Sequence, residues 1–175
     1  MKTHVLGLIA LGLTNLMIAQ NDIAEVTNSD AIMYSKSKSI NTVANLNSEY
    51  LSLASHDGVA IVVKKIQKIV ANYDIKTADV YLSNRNTTYT VNFMEGGNTV
   101  EAVYNKAGKI ISCKEYYNDI RLPYNVSTKI AKQYPGWSFD KIKCEIVYAI
   151  DKASLTTYKI TIKKERKSKN VTITI

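Results

Sequence analysis

Two cysteines, two histidines and a scatter of strand-borne glutamates are the residues of this chain whose types could do chemistry. A nucleophilic triad needs a base, usually histidine, within reach of a serine or thiol. His4 falls within an expected N-terminal leader, residues 1–19, so only His56 is a candidate. It sits beside Asp57 at an expected helix start, where a capping or solvated role fits better than catalysis. Zinc sites use closely spaced histidine and cysteine, whereas Cys113 and Cys144 lie 31 positions apart with a lone distant histidine. Calcium loops need alternating acids around a glycine, which Asp74 and Asp79 do not supply. Paired carboxylates could cleave glycosidic bonds, and Glu101 and Glu115 could neighbour each other across a hairpin. Glu95, Glu101, Glu115 and Glu145 nevertheless lie among lysines, the pattern of a solvated sheet face. The expectation is therefore no catalytic residue, no metal and no cofactor.

Binding is the remaining chemistry. Lys159, Lys163, Lys164, Arg166, Lys167 and Lys169 form the densest charge cluster, on an expected hairpin. It could hold anionic glycan or lipid, or simply guard a sheet edge against aggregation. Twelve tyrosines and Trp137 supply aromatic surface. Tyr89, Tyr148 and Tyr158 share parity with aliphatic neighbours and are expected in the core. Tyr81, Tyr116 and Tyr117 are left as candidates for a partner-binding face, with Lys159, Lys163, Arg166 and Lys167 beside them, because exposed aromatics anchor protein partners.

The ends and composition bound the setting. Lys2, the apolar run Val5 to Leu13, Leu16 to Ala19 and the polar Gln20-Asn21-Asp22 make the parts of a secretory signal peptide over residues 1–19. Cleavage after Ala19 leaves 156 residues without a further membrane-spanning run, so the product is expected to be exported, periplasmic or secreted. The leader removes Lys2 and no acid, which lowers the formal charge from +8 to +7. That balance favours acidic partners, although a solvated basic surface accounts for it too; a protein partner is expected, and nucleic acid is not. In an oxidising compartment Cys113 and Cys144 can pair as a disulfide, or both can be small buried hydrophobes.

The elements that must position these residues follow from periodicity. Residues 20–54 read as a tether rich in serine and lysine, then a stretch at Val43, Leu46, Tyr50, Leu51 and Leu53 that fits a strand or a helix. Val59, Val62, Val63, Ile66, Ile69, Val70 and Tyr73 recur at spacings of three and four, a helical stripe with Lys64, Lys65, Gln67 and Lys68 opposite; Asp57 suits its N-cap. Strand patterns follow at Val80–Leu82, Tyr89–Phe93, Thr99–Tyr104 and Lys109–Tyr117, with turns at Gly96-Gly97 and at 105–108. Pro123 opens a second helix striped by Val126, Ile130 and Tyr134. Strands then follow at Ile142–Tyr148, Tyr158–Ile162 and Val171–Ile175. The fold class is α+β: a tandem helix-plus-antiparallel-sheet repeat, residues 55–121 and a shorter 122–175, with helices on one face of the sheet.

Ala71-Asn72-Tyr73-Asp74-Ile75-Lys76, the turn Tyr104-Asn105-Lys106-Ala107-Gly108-Lys109, and Leu122-Pro123 through Ala131, Tyr134, Pro135 and Trp137 carry a resemblance. With the leader, they resemble the PepSY-like, β-lactamase-inhibitor-protein-like family of small exported proteins of Bacteroidetes, over roughly residues 50–175. That resemblance implies a tandem helix-plus-sheet fold, export, and a binding or inhibitory role. The second copy, stopping at Ile175, is shorter than the family pattern. A nucleotidyltransferase would instead need a parallel sheet and a glycine-rich strand-to-helix turn, which this chain lacks.

Overall fold

The computed structural model describes residues 24–28, 30–34, 46–54, 58–84 and 86–175. The expected leader at residues 1–19, the serine and lysine stretch at 35–45, and His56 with Asp57 lie outside the described residues. The chain forms β1 (Ala24–Asn28), β2 (Asp30–Tyr34), α1 (Ser48–Ala54), α2 (Ile61–Ala71), β3 (Thr88–Glu95), β4 (Asn98–Asn105) and β5 (Ile110–Asn118). It continues through α3 (Tyr124–Gln133), β6 (Ser138–Ala149), β7 (Leu155–Lys164) and β8 (Lys167–Thr174). Strands β3 to β8 make one antiparallel sheet in chain order, and the β1–β2 hairpin extends it beyond β3. The fold is thus α+β, as periodicity requires.

Alternation explains the sheet. Along each register row the inward residues are buried: Val91, Ala102, Cys113 and Tyr148 stand side by side on β3 to β6, and Cys144 pairs with Tyr158. Gly96 and Gly97 both take positive φ, 56° and 79°, in the two-residue loop between β3 and β4. Such a loop matches the strand twist. A bulge in the β4–β5 pairing, where Val103 meets Ser112 but Tyr104 meets Ile110, lets both Ile110 and Cys113 face inward. Tyr89, Tyr148 and Tyr158 are core residues, as their parity requires.

Two expectations change, and two open alternatives resolve. Val80–Leu82 is not a strand: Tyr81 N–H closes a turn onto the Ala78 carbonyl, and Leu82 N–H donates to the Tyr89 hydroxyl at 2.9 Å. A side chain thereby satisfies backbone that a ladder would otherwise satisfy. Helix α2 begins at Ile61, with Ala60 at its N-cap position. Its buried face is Val63, Ile66, Gln67, Val70 and Ala71. Ile69, placed on the stripe, is exposed, and Gln67, placed with the lysines, is buried. The stretch at Leu46–Leu53, which fits a strand or a helix by sequence, is helical from Ser48.

The cysteines, which by sequence could pair or lie buried as free thiols, take the second course. Cys113 stands opposite Tyr148 and Cys144 opposite Tyr117, so the cysteines are four register steps apart on neighbouring strands. At about 3.3 Å per step their Cα atoms lie on the order of 13 Å from each other, beyond the 7 Å limit for a bridge. Both thiols are free and buried.

Candidate functional site

The sheet face turned away from the core is built by the odd positions of β6 and β7 and their register partners. One row across it reads Met94, Thr99, Tyr116, Glu145, Thr157 and Thr174. Tyr116 is 45% exposed, Met94 46%. On either side run Glu101, Lys114, Val147 and Leu155, and then Asn118, Lys143, Lys159 and Thr172. Leu155 is 51% exposed. Lys159 bonds Glu145 at 3.1 Å and Lys163 bonds Asp140 at 2.8 Å.

The sequence candidates do not converge. Tyr116, Lys159 and Lys163 share this outer face. Tyr117 does not belong to a partner surface: strand alternation turns it inward, and it is buried at 1% exposure. Tyr81 lies in the loop before β3, stacked near Tyr89 with ring centroids 5.6 Å apart, its hydroxyl donating to the Lys106 carbonyl. Arg166 is in the β7–β8 turn. Lys167 pairs with Lys164 on the core side of the sheet, beyond the apolar residues, where Lys169 caps the Tyr134 ring at 4.6 Å. The basic hairpin is therefore divided between two faces.

Glu115 is the residue sequence reasoning misplaced. It stands opposite Val100 on β4 and Ile146 on β6, not beside Glu101, which faces Lys114. Glu115 is fully buried. Its Oε1 accepts from the Tyr50 hydroxyl at 2.8 Å. Its Oε2 accepts from the Tyr117 hydroxyl at 2.7 Å and the Gln67 amide at 2.9 Å. The Cys113 thiol donates to the Tyr50 hydroxyl at 3.8 Å, completing a chain of donors aimed at the carboxylate. No ion pair among the described residues involves Glu115. Burial lifts its pKa above the ordinary carboxylate value, and the donors from Tyr117, Tyr50 and Gln67 pull it back. Burial also pushes Cys144 up to about 12 and Cys113 well above an ordinary thiol. Neither thiol is therefore poised as a nucleophile.

This cluster joins α1, α2 and β5. Nearby, Asn47 donates to the Ala71 and Gly108 carbonyls and accepts from Ile110 N–H. The sequence signal existed: Glu115 shares the parity of Cys113 and Tyr117. A carboxylate enclosed by core and donors is a positioning device, with no opening to substrate.

A half-open groove of about 630 Å³ lies between Gly58–Val62 and Ile120–Tyr124, rimmed by Lys64, Arg121 and the exposed Ile61 and Tyr124. Among the described residues that line it, the one serine, Ser127, donates to the Tyr124 carbonyl at 3.0 Å. Among the described residues no histidine, cysteine and acid cluster could hold a metal, and no helix is long and apolar enough to cross a membrane. Comparison with family models, curated proteins and solved structures found no match.

Proposed function

We propose that this chain is an exported, non-enzymatic binding module that engages a protein partner through the outer face of its sheet, as an inhibitor of a protease or another envelope enzyme. The observation that carries this reading is Tyr116, half exposed on an interior strand and flanked by Thr99 and Glu145, with the exposed Met94 beyond Thr99 in the same row. Aromatic anchors with solvated polar neighbours are the residues that carry binding energy at protein interfaces. A partner would cover about 1,200–2,000 Å² in total. The signal-peptide-like pattern of residues 1–19 supports export. The equal runs of one helix and three strands, α2 with β3 to β5 and α3 with β6 to β8, support a tandem repeat with helices on one face. They also support kinship with the PepSY-like, inhibitor-like family.

The alternative, anionic glycan or lipid held by the 159–169 hairpin, needs its cations together. Lys159 and Lys163 are instead paired with acids on one face while Lys167 and Lys169 lie on the other. Affinity capture from envelope extract with residues 20–175, wild type against Tyr116→Ala, tests the reading. The substitution should abolish capture of a partner retained at high salt; undiminished capture sinks the idea.

A further inference from the structure

Two lysines stand directly opposite each other on the outer face, Lys143 on β6 and Lys159 on β7. Like charges in that position oppose sheet formation. Glu145 answers Lys159 alone; Lys143 and Lys141 make no ion pair among the described residues. Lys141, Lys143, Lys159 and Lys163 against Asp140 and Glu145 leave two positive charges in excess on two adjoining strands. The patch borders Tyr116, since Lys143 is diagonal to it through the Asn118 and Glu145 register pairs. Strands about 4.8 Å apart place these side chains within reach of one bound surface.

We propose that the partner's contacting surface is acidic, and that Lys143 and Lys141 hold its carboxylates while Tyr116 seats its apolar part. This deepens the sheet-face reading and rests on it. Charge complementarity argues for the occupant: Lys143 stands against the like-charged Lys159 in the free protein, and an acidic partner relieves that opposition on binding. The neighbouring Glu101, Glu145 and Asp140 argue for a protein surface, because a uniform polyanion would meet those acids along with the lysines. An aromatic anchor within the patch argues the same way.

The test uses a random peptide display library selected on residues 20–175, with heparin as a second probe. The proposal expects enriched peptides rich in Asp and Glu around an apolar residue. Lys141→Glu with Lys143→Glu should weaken them at least about tenfold, whereas Arg166→Glu with Lys167→Glu, the same charge change elsewhere, should weaken them far less. Peptides lost with Tyr116→Ala but neither acidic nor sensitive to Lys141 and Lys143 would overturn the acidic partner and leave the sheet-face reading standing. Peptides indifferent to Tyr116 and to those lysines would overturn both. Equal losses from the two charge reversals would reduce the effect to net charge and overturn the site. Heparin bound more tightly than any selected peptide, with the same lysine dependence, would overturn the protein surface in favour of an anionic glycan. A thermal melt of each variant separates lost binding from lost folding.

Discussion

Tyr117→Phe should cost more stability in alkaline than in acid solution. The substitution removes only a hydroxyl, so the ring still fills its place and no cavity opens. What is lost is the 2.7 Å bond to Glu115 Oε2, leaving the carboxylate with the Tyr50 and Gln67 donors. Hydrogen bonds to charged groups contribute about 1.5–3 kcal/mol, those between neutral groups about 0.5–1.5 kcal/mol. The sign of the pH effect follows from linkage. Burial raises the folded pKa of Glu115, and the Tyr117 hydroxyl lowers it. Between the unfolded and folded values the native state holds a proton that the unfolded state has released, so stability falls as pH rises through that window. Removing Tyr117 raises the folded pKa further and extends the window upward. The cost should therefore lie near the neutral-bond figure in acid, where the carboxyl holds its proton in both states, and grow towards the charged-bond figure in alkaline solution. At about 2–4 °C per kcal/mol for a chain of this size, the alkaline loss is about 3–12 °C in Tm. Urea denaturation and thermal melts in acid and in alkaline solution measure it, and repeating them on a Glu115→Gln background should abolish the pH dependence. A cost equal at both pH values, or larger in acid, would refute the claim that this hydroxyl serves an ionising carboxylate.

Glu115→Ala takes the acceptor from the buried Tyr50 and Tyr117 hydroxyls, and at about 1–3 kcal/mol for each unsatisfied group it should lose at least about 2 kcal/mol in urea denaturation; Glu115→Gln, which keeps an acceptor, should lose less. Lys143→Glu replaces a like-charged cross-strand pair with an opposite one and should gain about 0.2–1 kcal/mol, a gain seen by thermal melting at low salt that shrinks at about 1 M salt. Cys113 and Cys144 should resist a thiol reagent in the native protein and react on denaturation, and non-reducing mass spectrometry should find no bridge; a native Cys113–Cys144 disulfide would contradict the β5–β6 register.

Much of the fold was legible because period-two alternation survives strand by strand: Cys144, Tyr148, Tyr158 and Ile160 all face inward as their parity demands. The Gly96-Gly97 turn was legible for the same local reason, since few other residues accept positive φ at two successive positions. The site was less so. Gln67 and Glu115 look like surface residues by type, and only their meeting across α2 and β5 shows them as one buried network. Tyr116 and Tyr117 are adjacent and chemically identical, so their division into surface and core is fixed by register alone. The same holds for the hairpin lysines, which form one cluster in sequence and two groups on opposite faces of the sheet. Val80–Leu82 has strand composition, but the Tyr89 hydroxyl takes its backbone N–H, a contact no local pattern announces. Lys143 and Lys159 oppose each other through the register that runs unbroken from Val147–Leu155 beside the β6–β7 turn, a pairing no local pattern announces.

The most direct test of the sheet-face account is an amide-shift footprint of the captured partner on isotope-labelled residues 20–175. The account predicts perturbed amides at Thr99, Glu101, Lys114, Tyr116, Lys143 and Lys159, with α3 and the β7–β8 turn unmoved. A footprint confined to the groove at Gly58–Val62 and Ile120–Tyr124, or to the turn at Glu165-Arg166, would contradict it.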